Sequence, residues 1–376
     1  MKKKLLFVFG TRPEVIKMAS TIKKFQEFPN DYDLTIAVTG QHREMLFQAL
    51  DLFEIKPDYD LELMKHNQSL SFLTSASIEG ITKLLNEIAP DLVFVQGDTT
   101  TTFTASLAAF YARVPVAHIE AGLRTKNIYS PFPEEINRRL TSVIAKFHFP
   151  PTETSKSNLI SEGIEEEMIC ITGNTVIDAL LMITNKSDQK QKYLRFFFDK
   201  YGIDFNNDRK KILVTGHRRE SFGEGFLNIC NALKDISEKH DVEIIYPVHL
   251  NPNVQEPVFS ILKDRDNVYL IDPQQYDYFL YLMKRSYLIL TDSGGIQEEA
   301  PSLNKPVLLM RDTTEREEAV KAGTSLLVGT DQAKIIETVE RLLNDTEQHA
   351  LMSNAKNPYG EGDSCERIFD FLIDKI

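Results

Sequence analysis

The stretch ILTDSGGIQEEA, residues 289–300, runs from an apolar segment through Ser293-Gly294-Gly295 straight into a helix-forming segment with Gln297, Glu298 and Glu299. Two glycines let a backbone approach a ligand closely, and a helix start presents unpaired N–H groups at the positive end of its dipole. Strand, glycine turn and helix in this order make an anion site suited to a phosphate. Carboxylates one turn further in would repel phosphate and suit ribose hydroxyls, so the segment reads as built for a nucleoside diphosphate. The same turn also serves in other chains as nothing more than a tight connection.

Outward from this stretch, short apolar runs rich in β-branched residues alternate with amphipathic helical segments along the whole chain. The strand candidates before it are 5–10, 34–40, 92–98, 114–120, 147–150, 211–217, 242–249 and 268–272, with 287–292 inside it and 306–311 and 325–329 after it. Strands alternating with helices predict an α/β protein with parallel sheets. Polar motifs cluster where those runs end, which is where open α/β sheets bind ligands. The break between two domains falls between Pro151 and about Asp208, with helices over 175–207 linking the sheets.

At 376 residues the chain is long enough for two cores, and a hydrophobic share of 42% with 26% charged residues describes a globular protein. A formal net charge of −12 excludes a dedicated nucleic-acid binder. Lys2-Lys3-Lys4 leads into a run of six apolar residues, too short for a signal peptide or a membrane span, so a cytoplasmic protein with no membrane partner is expected. Cys170, Cys230 and Cys365 are isolated from one another and supply neither a disulfide framework nor a zinc site. No metal spacing occurs. No GxGxxG follows a strand, and GEGFLN (223–228) lacks the third glycine and reads as a loop.

GTRPE (10–14) places Thr11 near a helix N-cap, Pro13 in the first turn, Arg12 at the helix start and Lys17 about one turn along. Arg12 and Lys17 together can neutralise a diphosphate; each is also an ordinary surface cation. QGDT (96–99) sets Asp98 just past an apolar strand, as a functional carboxylate or the N-cap of the next helix. HIEAG (118–122) ends a strand in Glu120, whose apolar flanks argue against a capping role. PFPEEINRR (131–139) adds Glu134, Glu135, Arg138 and Arg139, with one glutamate explicable by the helix dipole. TGHRRE (215–220) puts His217 beside Arg218 at a strand mouth, and His249 ends another strand, as acid, base or phosphate donor.

In this order, GTRPEVIKM, TGQHREML, VQGDTTT, HIEAGLRT, PFPEEINRR, TGNTVIDAL, VTGHRRESFG, PVHLNP and TDSGGIQEEAPSLNKPVLLMRDTTER make the chain resemble the bacterial non-hydrolysing UDP-N-acetylglucosamine 2-epimerases over nearly its full length. The resemblance implies two Rossmann-like domains of the glycosyltransferase-B type with a cleft for substrate. The first would span 1–174 with a returning C-terminal helix over 361–376, and the second, UDP-binding domain 175–360. It also implies interconversion of UDP-GlcNAc and UDP-ManNAc by elimination of UDP to 2-acetamidoglucal and re-addition, supplying ManNAc for surface polysaccharide. A homodimer and no cofactor are expected with it. Matched residue by residue, the catalytic positions are Asp98, Glu120, Glu134 and His217. Arg12, Lys17, Arg138, Ser293, Gly294 and Gly295 would hold the diphosphate and Glu299 the ribose. Gln41, His42, Arg218 and His249 match an activator site for a second UDP-GlcNAc. Asn67 stands where activated members carry arginine before Gln68, and Glu317 stands where the family has proline. The competing expectations are a UDP-sugar glycosyltransferase of the same fold and an inactive nucleotide-sugar sensor.

Overall fold

The computed structural model describes residues 1–40, 43–63, 68–186 and 190–376. The chain divides into two compact units, Met1–Leu181 with Tyr359–Ile376, and Met182–Pro358. The helix Thr175–Thr184 straddles the division. The α/β expectation is met in both units.

The first unit contains β1 (Lys3–Phe9), β2 (Tyr32–Val38), β3 (Tyr59–Asp60), β4 (Leu92–Gln96), β5 (Val116–Ile119) and β6 (Phe147–Phe149). They form one parallel sheet in the order β3-β2-β1-β4-β5-β6. The second unit contains β7 (Lys210–Thr215), β8 (Val242–Pro247), β9 (Val268–Ile271), β10 (Leu288–Thr291), β11 (Val307–Leu309) and β12 (Ser325–Leu327). Their order, β12-β11-β10-β7-β8-β9, is the same topology, and all pairs are again parallel. Strand addition reverses direction between β1 and β4 and between β7 and β10. Those two reversals open crevices at the strands' carboxyl ends, and ligands bind in such crevices.

Sequence dictates this layering simply. Leu5 to Phe9 are all fully buried, as a run covered on both faces must be. Leu6 and Val8 join a cluster with Ile81, Val93, Val95 and Ala105. On the opposite side Phe7 stacks on Phe94, with ring centroids 4.4 Å apart. The helix Arg12–Gln26 is started by a capping box: Thr11 Oγ1 accepts from the Glu14 amide, and Glu14 Oε2 accepts from the Thr11 amide at 2.8 Å. Two local features differ from the sequence expectation. β3 is only two residues long and carries an Asp, so no apolar run announces it. GEGFLN is not a loop: Gly223, at φ +85, is the N-cap of the helix Glu224–Lys239.

The C-terminal helix Ser364–Leu372 packs within the first unit. Phe369 stacks on Phe28 at 4.5 Å and meets the edge of Phe25 at 5.2 Å, while Phe371 lies edge-on to Phe149 at 5.7 Å. Asp178, in the first turn of Thr175–Thr184, accepts the Cys365 amide at 2.8 Å and so satisfies a donor at that helix's start. Among the described residues no helix is long and apolar enough to cross a membrane.

Phe369→Ala removes the ring joining the C-terminal helix to Arg12–Gln26. It should destabilise the first unit by about 3–5 kcal/mol, read as a lower urea midpoint. Hydrogen exchange in Arg12–Gln26 no faster than in the parent protein would show that the C-terminal helix does not support that unit.

Candidate active site

In the first unit the predicted residues gather at the ends of β1, β4 and β5. Arg12 occupies the first turn of its helix, half-buried, and its guanidinium has no partner among the described residues. A cation at the positive end of a helix dipole is unfavourable alone. Behind it, Glu14 is buried and accepts from the Gly10 amide at 3.0 Å, the Thr11 hydroxyl at 2.7 Å and the Thr99 hydroxyl at 2.7 Å. Burial raises its carboxyl above the ordinary range against the pull of those donors.

Asp98 follows β4 and does not cap the next helix. Thr99 does, accepting from the Thr102 amide at 3.2 Å. The Asp98 carboxylate meets the Arg138 guanidinium, and the Asp98 carbonyl accepts from the Asn137 amide group at 2.9 Å. About a quarter of the side chain (26%) stays exposed. Burial raises its carboxyl above the usual value; Arg138 opposes the rise, and the Glu120 charge adds to it.

Glu120 sits at the end of β5 with φ +62, a left-handed backbone on a non-glycine residue. Such strain persists only where surrounding contacts impose it, and it concentrates at functional sites. Here both oxygens are held: Lys17 Nζ lies 2.5 Å from Oε1 and 2.7 Å from Oε2, Asn174 Nδ2 lies 3.3 Å from Oε1, and the Gln96 side-chain amide donates to Oε2. Lys17 and Arg138, expected on a diphosphate, are therefore engaged with Glu120 and Asp98.

Glu134 opens the helix Glu134–Ile144, and its Oε2 is buried without a hydrogen-bond partner. Glu135 is the structural member of the pair. Fully buried, it binds Arg139 at 2.9 Å and Arg138 at 3.4 Å and accepts the Thr125 amide at 3.0 Å.

In the second unit the residues gather at the ends of β7 and β10. His217 Nδ1 lies 3.3 Å from Asp292 Oδ1, and Asp292 Oδ2 accepts the His217 and Arg218 amides, both at 2.7 Å. Burial works against ionisation of Asp292, but the His217 ring and those amides outweigh it, leaving the carboxyl below its ordinary range. The His249 ring lies parallel to His217, with centroids 5.3 Å apart.

Ser293 is the N-cap of the helix Gly294–Glu299, yet its hydroxyl makes no capping bond. Gly294 has a reason beyond ligand approach: a Cβ there would lie 2.6 Å from Arg316 Nη1, so the missing side chain admits that guanidinium. Gly295 is more open, its nearest such neighbour being Glu299 Oε1 at 3.8 Å. Arg316 is held by Glu298 at 2.7 Å and by Glu315 at 2.8 Å, and Glu315 also binds Arg311 at 2.8 Å and approaches Arg218 at 3.6 Å. Glu299, separately, accepts from the Tyr276 hydroxyl at 3.2 Å. The result is an N-terminus flanked by arginines, with one glutamate serving them and the next facing a tyrosine.

Gln41 and His42 lie outside the described residues. Arg218 and His249, expected with them at an activator site, are neighbours of His217. Sequence reading missed Glu14, Gln96, Asn137, Asn174 and Asp292, and it placed Arg316 only on the MRDTTER strand-end loop. Glu14 was findable, because Thr11 three residues before a Glu is the capping-box signature. The others depend on which strands adjoin.

Comparisons with known proteins identify the family. A family model described as UDP-N-acetylglucosamine 2-epimerase matches residues 24–373. The UDP-N-acetylglucosamine 2-epimerase of Escherichia coli (strain K12) is 56% identical over 370 residues, covering 98% of each chain. That of Campylobacter jejuni is 54% identical over 378 residues, 99% of this chain and 98% of its own. The crystal structure of the UDP-GlcNAc 2-epimerase from Neisseria meningitidis bound to UDP-GlcNAc superposes with a TM-score of 0.88 at 52% identity, covering 99% of this chain and 100% of that one. With motifs, topology and full-length identity in agreement, the chain belongs to the UDP-N-acetylglucosamine 2-epimerase family.

Proposed function

We propose that this enzyme interconverts UDP-GlcNAc and UDP-ManNAc by the non-hydrolysing route, without a cofactor, and supplies ManNAc units for surface polysaccharide from the cytoplasm. The observation that carries the proposal is the set of three carboxylates at the mouth of the first sheet, each in a different electrostatic setting. The C2 hydrogen of the sugar is not beside a carbonyl, so direct deprotonation would be very slow. Elimination avoids this. A carboxylate takes the C2 proton, the C1–O bond breaks with its electron pair going to the diphosphate, and a C1–C2 double bond forms. Return of UDP to C1 with a proton delivered to the other face of C2 completes the inversion.

Such a route needs two proton carriers and a held leaving group. Asp98, with its carboxyl raised by burial, and Glu134, with an unpartnered buried oxygen, suit proton transfer. Glu120, gripped by Lys17 and by side-chain amides, suits a fixed negative charge that orders the substrate. Arg12, Ser293 and the arginines at Gly294 suit the diphosphate, Glu299 the ribose, and His217 the departing oxygen. Lys17 and Arg138 act on phosphate, if at all, while still bound to their carboxylates.

A homodimer fits one surface of the first unit. The packed helices Thr100–Tyr111 and Glu134–Ile144 both lead into parallel strands, so their C-terminal ends lie together. Phe110 (61% exposed), Tyr111 (65%), Leu140 (41%) and Val143 (78%) crowd there, an apolar patch of the kind that a second copy covers.

Incubation with UDP-GlcNAc in heavy water and no acceptor should yield UDP-ManNAc with deuterium at C2 by proton NMR. Release of free ManNAc would show hydrolysis instead, and unchanged substrate would overturn the proposal. Asp98→Asn should slow conversion by about 10²–10⁴-fold with UDP affinity retained; unaltered turnover removes Asp98 from the chemistry. Arg12→Ala should weaken UDP binding by roughly 1–3 kcal/mol in calorimetry, and parental affinity would refute a phosphate role. Val143→Glu should turn a sedimenting dimer into a monomer; a monomeric parent protein would exclude the dimer.

A further inference from the structure

We propose that Asp292 is a positioning residue for His217, fixing which ring nitrogen exchanges a proton with the diphosphate. The inference rests on the phosphate-side role given to His217 above. Asp292 ends β10 and is 1% exposed, while His217 follows β7, the neighbouring strand across the reversal of strand order. One carboxylate oxygen, Oδ2, accepts the amides of His217 and Arg218 and so pins the turn carrying the histidine. The other, Oδ1, is buried without a hydrogen-bond partner and lies 3.3 Å from His217 Nδ1, the donor that would satisfy it.

A carboxylate so placed selects the tautomer protonated at Nδ1. The nitrogen that exchanges protons is then Nε2, and any imidazolium formed there is stabilised by the adjacent negative charge, the logic of a buried Asp behind a catalytic histidine. The ring face is fixed as well. His249 stacks parallel to it, and His249 Nδ1 accepts the Asn251 amide at 3.1 Å, which holds that ring in place. On the same turn Arg218 approaches Glu315, and the Tyr246 hydroxyl donates to the Gly216 carbonyl at 3.3 Å. Asp292 is thus the anion closest to the His217 ring in this unit. It exchanges no proton with substrate itself.

The test is a two-bond ¹⁵N–¹H spectrum of the whole protein labelled at histidine nitrogens, with His217 assigned by the signals lost in His217→Gln. Above its titration midpoint His217 should show the Nδ1–H tautomer; an Nε2–H tautomer overturns the inference with no variant needing to fold. In Asp292→Asn the His217 ring should lose its preference for the Nδ1–H tautomer. Conversion of UDP-GlcNAc should slow by about 10²–10⁴-fold. UDP affinity should hold. A slower variant whose His217 tautomer matches the parent's would make Asp292 merely structural. Absence of any turnover in the parent protein would sink the functional proposal instead, leaving the tautomer assignment standing.

Discussion

A buried carboxylate bridging the reversal of strand order is the constraint on which each unit's site depends. In the first unit Glu14 accepts donors from the end of β1 and, through Thr99 and Thr102, from the start of the helix after β4. In the second, Asp292 at the end of β10 accepts donors from the turn after β7. An isolated buried carboxylate is expensive, and only a full complement of donors makes it tolerable. Both are therefore locked, and with them the loops carrying Arg12, Asp98 and His217. The two differ in the direction in which their carboxyls are shifted. Glu14 has hydroxyls and amides around it, and burial pushes its carboxyl up. Asp292 has a histidine ring beside it and stays below the ordinary range. The same architectural device is a structural clamp in one sheet and an electrostatic partner in the other.

The acids of the first unit sort by the company they keep. Glu135 is consumed by Arg138, Arg139 and the Thr125 amide, which leaves Glu134, one residue earlier, at the helix edge. Glu120 is immobilised in a strained backbone by Lys17 and by side-chain amides from Gln96 and Asn174. Asp98 shares Arg138 with Glu135, so its counter-ion is divided, and burial prevails in its carboxyl. Four carboxylates lie within one constellation, yet their freedom to accept a proton differs. That spread of environments is what separates a proton-transfer site from a surface acidic patch.

Much of this was legible in the residues alone. Apolar runs ending in polar motifs marked eleven of the strands and the mouths where function sits, because a parallel strand buried on both faces cannot be written any other way. The capping box in GTRPE and the glycine turn in TDSGG were equally local. What could not be read was adjacency. Arg138 is forty residues from Asp98, and Lys17 is over a hundred from Glu120; only the order β1-β4-β5 brings them together. Asp292 was visible in its motif, but its partner lies across a strand pairing that no spacing reveals. Gly294 was assigned to ligand approach because a sequence cannot show the Arg316 guanidinium occupying the space.

That last case bears on how an anion site is assembled from a short helix. Gly294–Glu299 has six residues, too few for its dipole alone to hold a doubly charged ligand strongly. The glycine compensates by admitting a guanidinium against the helix start, and Glu298 and Glu315 keep that guanidinium in place. Each glutamate neutralises part of the positive charge it positions, which lowers the desolvation penalty of burying arginines before a ligand arrives. Arg218, 3.6 Å from Glu315, completes the row only loosely. Glu315 is the carboxylate that Arg311, Arg316 and Arg218 share, so removing it would leave Arg316 to Glu298 and Arg311 to Glu220.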